Sequence, residues 1–144
     1  EGDLVASVDR SQLKQVLLNL LTNAVEASSA QMRVCLRVTR EAMPAELSPA
    51  LAYGGAVVLE VEDEGPGVSA DHLDRLFVPF FTTKPDGSGL GLAISEKVVR
   101  AHLGHLRYER RADRTVMRAI LPVTASAGAT TPDDTESSSL QARG

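Results

Sequence analysis

The segment Gly87-Ser88-Gly89-Leu90-Gly91-Leu92-Ala93-Ile94 constrains this chain more than any other. Glycines at three alternate positions open backbone conformations that other residues avoid. They lead directly into residues 90–103, where apolar positions recur at helical spacing. The result is a loop whose backbone amides meet a helix N-terminus, an arrangement suited to an anion such as phosphate. A flexible loop capped by a helix satisfies the same pattern. Two familiar phosphate loops are excluded by spacing. There is no G-x-x-x-x-G-K-[ST], and the glycines run G-x-G-x-G behind a Phe80–Asp86 segment that does not read as a dinucleotide-fold strand.

The surrounding pattern is that of one mixed α/β domain. A chain of 144 residues is long enough for one core and too short for two ordinary domains. Residues 5–9 read as a short strand, with Asp9 as the N-cap of a helix over about 10–28. On that helix Leu13, Leu17, Leu20, Leu21 and Ala24 form one apolar stripe. Strands are predicted at 32–39, 56–63, about 105–110 and about 115–121, with a loop over 41–54 and a helical stretch near 69–76. This order predicts an α/β two-layer sandwich with one helical layer on one sheet. Residues 1–123 form the expected folded unit. Residues 124–144 are small, polar and nearly free of large apolar side chains, so the sequence predicts a disordered tail there.

Composition removes several classes of function. The net charge is −4, acids and bases interleave, and the chain has two Tyr, three Phe and no Trp, which argues against nucleic-acid binding. The apolar run Ala56–Leu59 is far shorter than the roughly 18 residues of a membrane span. Cys35 is the only cysteine, so no internal disulfide forms and a cytoplasmic setting is expected; it lies in an apolar, β-branched stretch and is read as a small buried hydrophobe. The chain opens on Glu1 and is expected to be part of a longer protein, with a soluble and a membrane-anchored parent both left open.

Three further segments carry polar chemistry. Asn19, Asn23 and Glu26 fall at i, i+4 and i+7 and share one helix face, read as lying opposite the leucine stripe. Their oxygens suit a hard cation, their amides phosphate oxygens, and a solvated face explains them equally. Asp63-Glu64-Gly65-Pro66-Gly67 closes a strand, so Asp63 can accept from an exocyclic amine while the glycines admit a ligand close to the backbone; a plain turn has the same composition. Phe77, Phe80 and Phe81 precede Thr82-Thr83-Lys84-Pro85, a hydrophobic hinge beneath a polar lid, from which Lys84 can reach a terminal phosphate.

Taken in order, these motifs resemble the ATP-binding catalytic domain of sensor histidine kinases. The match runs from the N box at Asn19–Ala27 and the glycine box at Asp63–Gly67 through the F box at Phe77–Lys84 to the second glycine box at Gly87–Leu92. It covers about residues 5–122 and is most similar to the nitrogen-regulation and oxygen-sensor subgroup. The resemblance implies the Bergerat fold, a mixed, mostly antiparallel sheet with helices on one face, and ATP and Mg²⁺ as cofactors. By the same resemblance Asp63 contacts the adenine amine, Gly65 and Gly67 admit the base, and Thr115 joins the adenine-side hydrogen bonds. Asn23 holds Mg²⁺ and Asn19 supports the phosphate–metal cluster. Thr83 and Lys84 belong to the lid, and Gly87, Gly89, Leu90, Gly91 and Leu92 wrap the phosphates. Asn19, Asn23 and Lys84 are the implied catalytic residues.

Two positions depart from the common family pattern. Glu26 and Ala27 stand where many relatives have a basic residue and an aromatic, and Gly104 is single where many have a glycine pair. Related ATPases use Glu at the position of Asn19 to activate water; an amide cannot take that proton, which favours transfer over hydrolysis. The acceptor is implied to be a histidine on a separate upstream dimerising domain, with a response regulator downstream. His72, His102 and His105 lack the acceptor's sequence context, so this chain is expected to bind Mg-ATP as a monomer without autophosphorylating, the full-length protein being a homodimer. A regulatory nucleotide-binding module and an anti-sigma-type serine kinase on the same fold remain as alternatives.

Overall fold

The computed structural model describes residues 6–47 and 54–123; the tail read at 124–144 lies outside them. Helix α1 (Arg10–Ala27) starts where Asp9 caps it, its side chain accepting from the Gln12 N–H at 2.9 Å. Strands β1 (Val34–Glu41) and β2 (Ala56–Asp63) follow, then a 3-10 turn (Ala70–Arg75), helix α2 (Gly91–Ala101), and the hairpin β3 (His105–Arg111) and β4 (Arg114–Pro122). The strands form one sheet in the order β1-β2-β4-β3, with every pairing antiparallel.

Both helices lie on one face of this sheet. Val16, Leu20 and Ala24 of α1 and Val99 of α2 bury against Leu59, Val61, Met117, Ala119 and Leu121. These strand residues alternate along β2 and β4, so the pleat delivers them all to the same side. The two-layer sandwich expected from the sequence is therefore the observed architecture. The opposite face is closed partly by Met43 over Ala56, Val58 and Ile120. Further along it, buried Glu60 is matched by Arg37, Arg111 and Arg118. A carboxylate this buried needs such partners.

Three expectations are corrected. Residues 6–9 of the stretch read as a strand are not in one; the Asp9 N–H donates to His102 Nε2 at 2.9 Å, tying this segment to the end of α2 instead of to the sheet. Strand β1 begins two residues later than predicted and is largely exposed, because it is an edge strand. Cys35 on it is consequently exposed, not buried. No helix of the described residues is long and apolar enough to cross a membrane.

Candidate nucleotide-binding site

A cleft of about 640 Å³ opens between α1, the end of β2, the loop before α2, and the β3–β4 hairpin. It gathers Asn19, Asn23, Asp63, Gly67, Thr83, Lys84, Gly87, Gly89, Gly91, Leu92 and Thr115 along its walls. Gly65 and Leu90 do not line it. Gly65 is buried behind the wall, and Leu90 occupies the N-cap position of α2.

One end of the cleft is built by strand register. Asp63 and Thr115 are direct partners across β2 and β4, and both are buried. Asp63 Oδ1 accepts from the Gly65 N–H at 2.8 Å. Burial pushes the Asp63 carboxyl above its ordinary pKa, against the opposing pull of that N–H and of the nearby Arg110 charge. A Cβ on Gly65 would lie 2.7 Å from the Ala27 carbonyl oxygen, so only glycine passes beneath the end of α1. Gly67 has φ +73°, and a Cβ there would lie 2.6 Å from the Tyr108 hydroxyl. That hydroxyl accepts from the Val68 N–H at 2.9 Å, while Arg110 Nη1 donates to the Gly65 carbonyl and to Thr115 Oγ1.

The other end is built by helix faces and a loop. Asn19 Nδ2 donates to the Gly91 carbonyl and to Ser95 Oγ, both at 3.2 Å, joining α1 to the first turn of α2. Asn19 and Asn23 are half-buried beside the core stripe, not opposite it; the face turned outward carries Leu18 and Val25. Helical geometry explains this, since position 19 is only one residue's rotation from Leu20. Lys84 reaches across from the loop, donating to Asn23 Oδ1 at 3.3 Å and pairing with Glu26. The N-cap of α2 supplies no side-chain hydrogen bond, which leaves its first-turn amides available to an anion.

The loop itself closes on a backbone staple. The Phe80 N–H donates to the Gly89 carbonyl at 2.9 Å. Phe80 has φ +68°, Gly89 has φ +71°, and a Cβ on Gly89 would lie 2.4 Å from the Phe80 carbonyl carbon. The three phenylalanines thus divide their work. Phe77 packs on the core, Phe81 lies between His72 and Arg75, and Phe80 is 76% exposed.

The match to the family of Histidine kinase-, DNA gyrase B-, and HSP90-like ATPases covers residues 8–125. The chain belongs to this ATPase family. Among its relatives, the Signal transduction histidine-protein kinase AtoS of Escherichia coli is 38% identical over 101 residues, which is 70% of this chain and 15% of that protein. The Sensory histidine kinase/phosphatase NtrB of Rhodobacter capsulatus is 39% identical over 117 residues, 80% of this chain and 33% of that protein. The chain therefore spans a minor part of these relatives' length. Among solved structures, the nucleotide-free catalytic domain of histidine kinase ThkA superposes with a TM-score of 0.64 at 33% identity, covering 81% of this chain and 70% of that one.

Sequence reasoning missed Tyr108, Arg110 and Ser95 of this ATPase-family domain. Tyr108 and Arg110 alternate with Leu106 on β3, so strand periodicity placed them on the same face as Thr115 once the hairpin was assigned. Ser95 carried no signal beyond its place one turn after Gly91.

Proposed function

We propose that this domain binds Mg-ATP and donates its γ-phosphoryl group to a histidine on a separate, dimerising domain, as the kinase half of a two-component sensor. The observation that carries this reading is the single cleft that holds both kinds of group. Asp63 and Thr115 lie toward one end, and Asn19, Asn23, Lys84 and the α2 N-terminus toward the other. The names of the relatives, histidine kinases throughout those cited, point the same way.

In this reading the Asp63 carboxylate accepts the adenine amine and Thr115 completes the base contact. Gly67 lets the base approach the sheet end. The phosphates run toward the α2 amides, beside Gly87, Gly89 and Gly91, where the helix dipole opposes their charge. The residues present fit a magnesium ion. Asn23 offers a hard oxygen donor, and that oxygen already accepts from the Lys84 ammonium, so the position favours a cation. Asn23 would hold the ion and Asn19 would lie beside it; when bound, the ion neutralises charge on the β- and γ-oxygens. Lys84, released from Asn23, supplies a point charge to the terminal phosphate.

Asn19, whose amide nitrogen is committed to Gly91 and Ser95, is no base for water, and the one carboxylate on that face, Glu26, is paired with Lys84. In this reading the nucleophile comes from outside the domain. The three histidines are otherwise engaged or displaced: His102 bridges Val98 and Asp9, His72 packs on Phe81, and His105 opens β3. We accordingly assign the acceptor histidine, the dimer contacts and the response regulator to other domains or proteins, and the work to the cytoplasm, where ATP is supplied.

Calorimetric titration with Mg-ADP and a non-hydrolysable ATP analogue tests the binding half, with Asn23→Ala and Asp63→Ala alongside. Binding weakened in both variants, with metal dependence lost only in the first, is the expected result. Incubation with ATP and a supplied acceptor domain tests the transfer half. An acid-labile phosphoprotein supports it; an acid-stable one, or none, overturns it.

A further inference from the structure

Arg110 is the least expected side chain at the Asp63 end of the cleft. Its Nη1 donates to the Gly65 carbonyl at 2.7 Å and to Thr115 Oγ1 at 2.8 Å. Resting on the nucleotide reading above, we propose that Arg110 is a positioning residue for base specificity: it fixes the rotation of the Thr115 hydroxyl so that this group can only donate to the base.

The argument is one of counting donors and acceptors. A threonine hydroxyl has one proton and two acceptor lone pairs, and it rotates to suit its surroundings. A guanidinium has donors only. Arg110 therefore consumes one lone pair of Thr115 and repels the hydroxyl proton from its own side. Among the described residues, no other hydrogen bond is made by Thr115 Oγ1, so its proton has no protein acceptor. The side chain lines the cleft, and the cleft is where that proton is left to point. Directly across the ladder stands Asp63, which when ionised is an acceptor only. The wall thus presents a fixed acceptor beside a fixed donor.

Adenine offers the complement, an exocyclic amine donor next to a ring-nitrogen acceptor. A 6-oxopurine offers the reverse, a carbonyl next to a ring N–H. Asp63 alone rejects the carbonyl. Arg110 adds a second rejection, because Thr115 cannot turn round to accept from the ring N–H while the guanidinium holds it. Gly67 lies against the guanidinium, since a Cβ there would lie 3.1 Å from Nη1, and the Gly65 carbonyl and Thr115 hydroxyl hold it by hydrogen bonds. Its charge also helps keep the buried Asp63 ionised, and so an acceptor.

The test is to titrate the chain with ATP and with ITP, in the wild type, Arg110→Met, Thr115→Val and the double variant. Circular dichroism and melting curves confirm folding in each; Arg110 is exposed and its loss leaves the core intact. The wild type prefers ATP. Arg110→Met narrows that preference by about tenfold, the worth of one hydrogen bond that can now be turned round. In the Thr115→Val background the same substitution leaves the preference where it was, because there is no hydroxyl to orient. Equal weakening of both nucleotides by Arg110→Met, or the same narrowing without the Thr115 hydroxyl, overturns the proposal while leaving the nucleotide site standing. A wild type that binds neither nucleotide overturns the site itself, and this inference with it.

Discussion

Asp63 and Thr115 meet across a strand ladder and are buried, whereas Lys84 reaches Asn23 and Glu26 from a loop, through an ion pair whose side chains are 41% and 51% exposed. The first end is held by the sheet. Moving Asp63 relative to Thr115 means slipping the β2–β4 register, which would turn the core residues of those strands to the wrong face. The second end is held by contacts that water can replace at small cost. One domain thus combines a rigid wall at the Asp63 end with a Lys84 end that is free to rearrange. The difference teaches where specificity and motion can each reside.

The comparison breaks most visibly at Asp63. Asp63→Asn is expected to weaken ATP binding about a hundredfold, because a fixed acceptor is replaced by an amide that can present a donor. Its effect on stability runs the other way. The native carboxyl has a raised pKa, so the folded state binds the proton more tightly than the unfolded state. The cost of burying the charge is absent at pH values below the ordinary carboxylate range and is fully felt above the raised pKa. Asp63→Asn should therefore match wild-type stability at low pH and exceed it near neutrality, as urea titrations at two pH values would show. For the same reason ATP affinity should decline on acidification before an ordinary aspartate would titrate.

At the other end, Asn23→Ala should cost about tenfold in ATP affinity with magnesium and little without it, while adenosine binding stays unchanged. Equal loss for adenosine would show that the two ends are not independent. A third, smaller effect lies away from both. Leu103 sits at φ +61° just beyond α2, where a Cβ is penalised, and it is 63% exposed. Leu103→Gly should stabilise the fold by about 1 kcal/mol, read as a higher Tm, and leave nucleotide binding alone. The smallest effect is expected from Glu26→Gln. Melting should shift by less than the equivalent of about 1 kcal/mol, and ATP should bind a few-fold more tightly as Lys84 is freed for phosphate. A large loss of stability would mean that the Lys84 end is as rigid as the ladder.

Much of this was legible in the sequence for a physical reason. The bounds predicted for β2 are those observed, because the run of β-branched and apolar residues from Ala56 to Val61, broken only by Glu60, is bracketed by Gly55 before it and Asp63-Glu64-Gly65 after it. The Asp9 cap was equally plain; the α1 stripe was right at Leu20 and Ala24, but it left out Val16, which is fully buried, while Leu13, Leu17 and Leu21 are only partly buried. Edge strand β1 was less so: its alternation suggested a half-buried strand, but which strand lies at a sheet edge is decided by distant pairings. That is also why Cys35 was misplaced. Most of the candidate residues that the cleft gathers could be nominated from what is visible locally: the glycines, Asp63 and Thr115 at strand ends, and Asn19 and Asn23 one turn apart on α1. Arg110 and Tyr108 could not be: their contacts with Gly65 and Val68 lie 40 or more residues away, and that of Arg110 with Thr115 depends on the register of the β3–β4 hairpin. The roles of Gly87 and Gly89 were only half seen; a Cβ on either would collide with Thr82 or Phe80 of the same loop, so they shape the loop itself as well as its approach to a ligand.

The hydrogen bond from Phe80 to Gly89 makes the segment between them a closed ring of chain. The entropy of bringing its ends together is already spent in the fold, so ordering it around a ligand costs only the internal freedom of a short loop. While that bond holds, such a ring can flap but not peel away. Its travel is bounded by its own contour, and Lys84 near its middle sweeps an arc anchored at both sides. For a nucleotide seated as proposed, exchange would then need only a motion of small amplitude, and substitutions in 81–88 would alter its speed more than its reach.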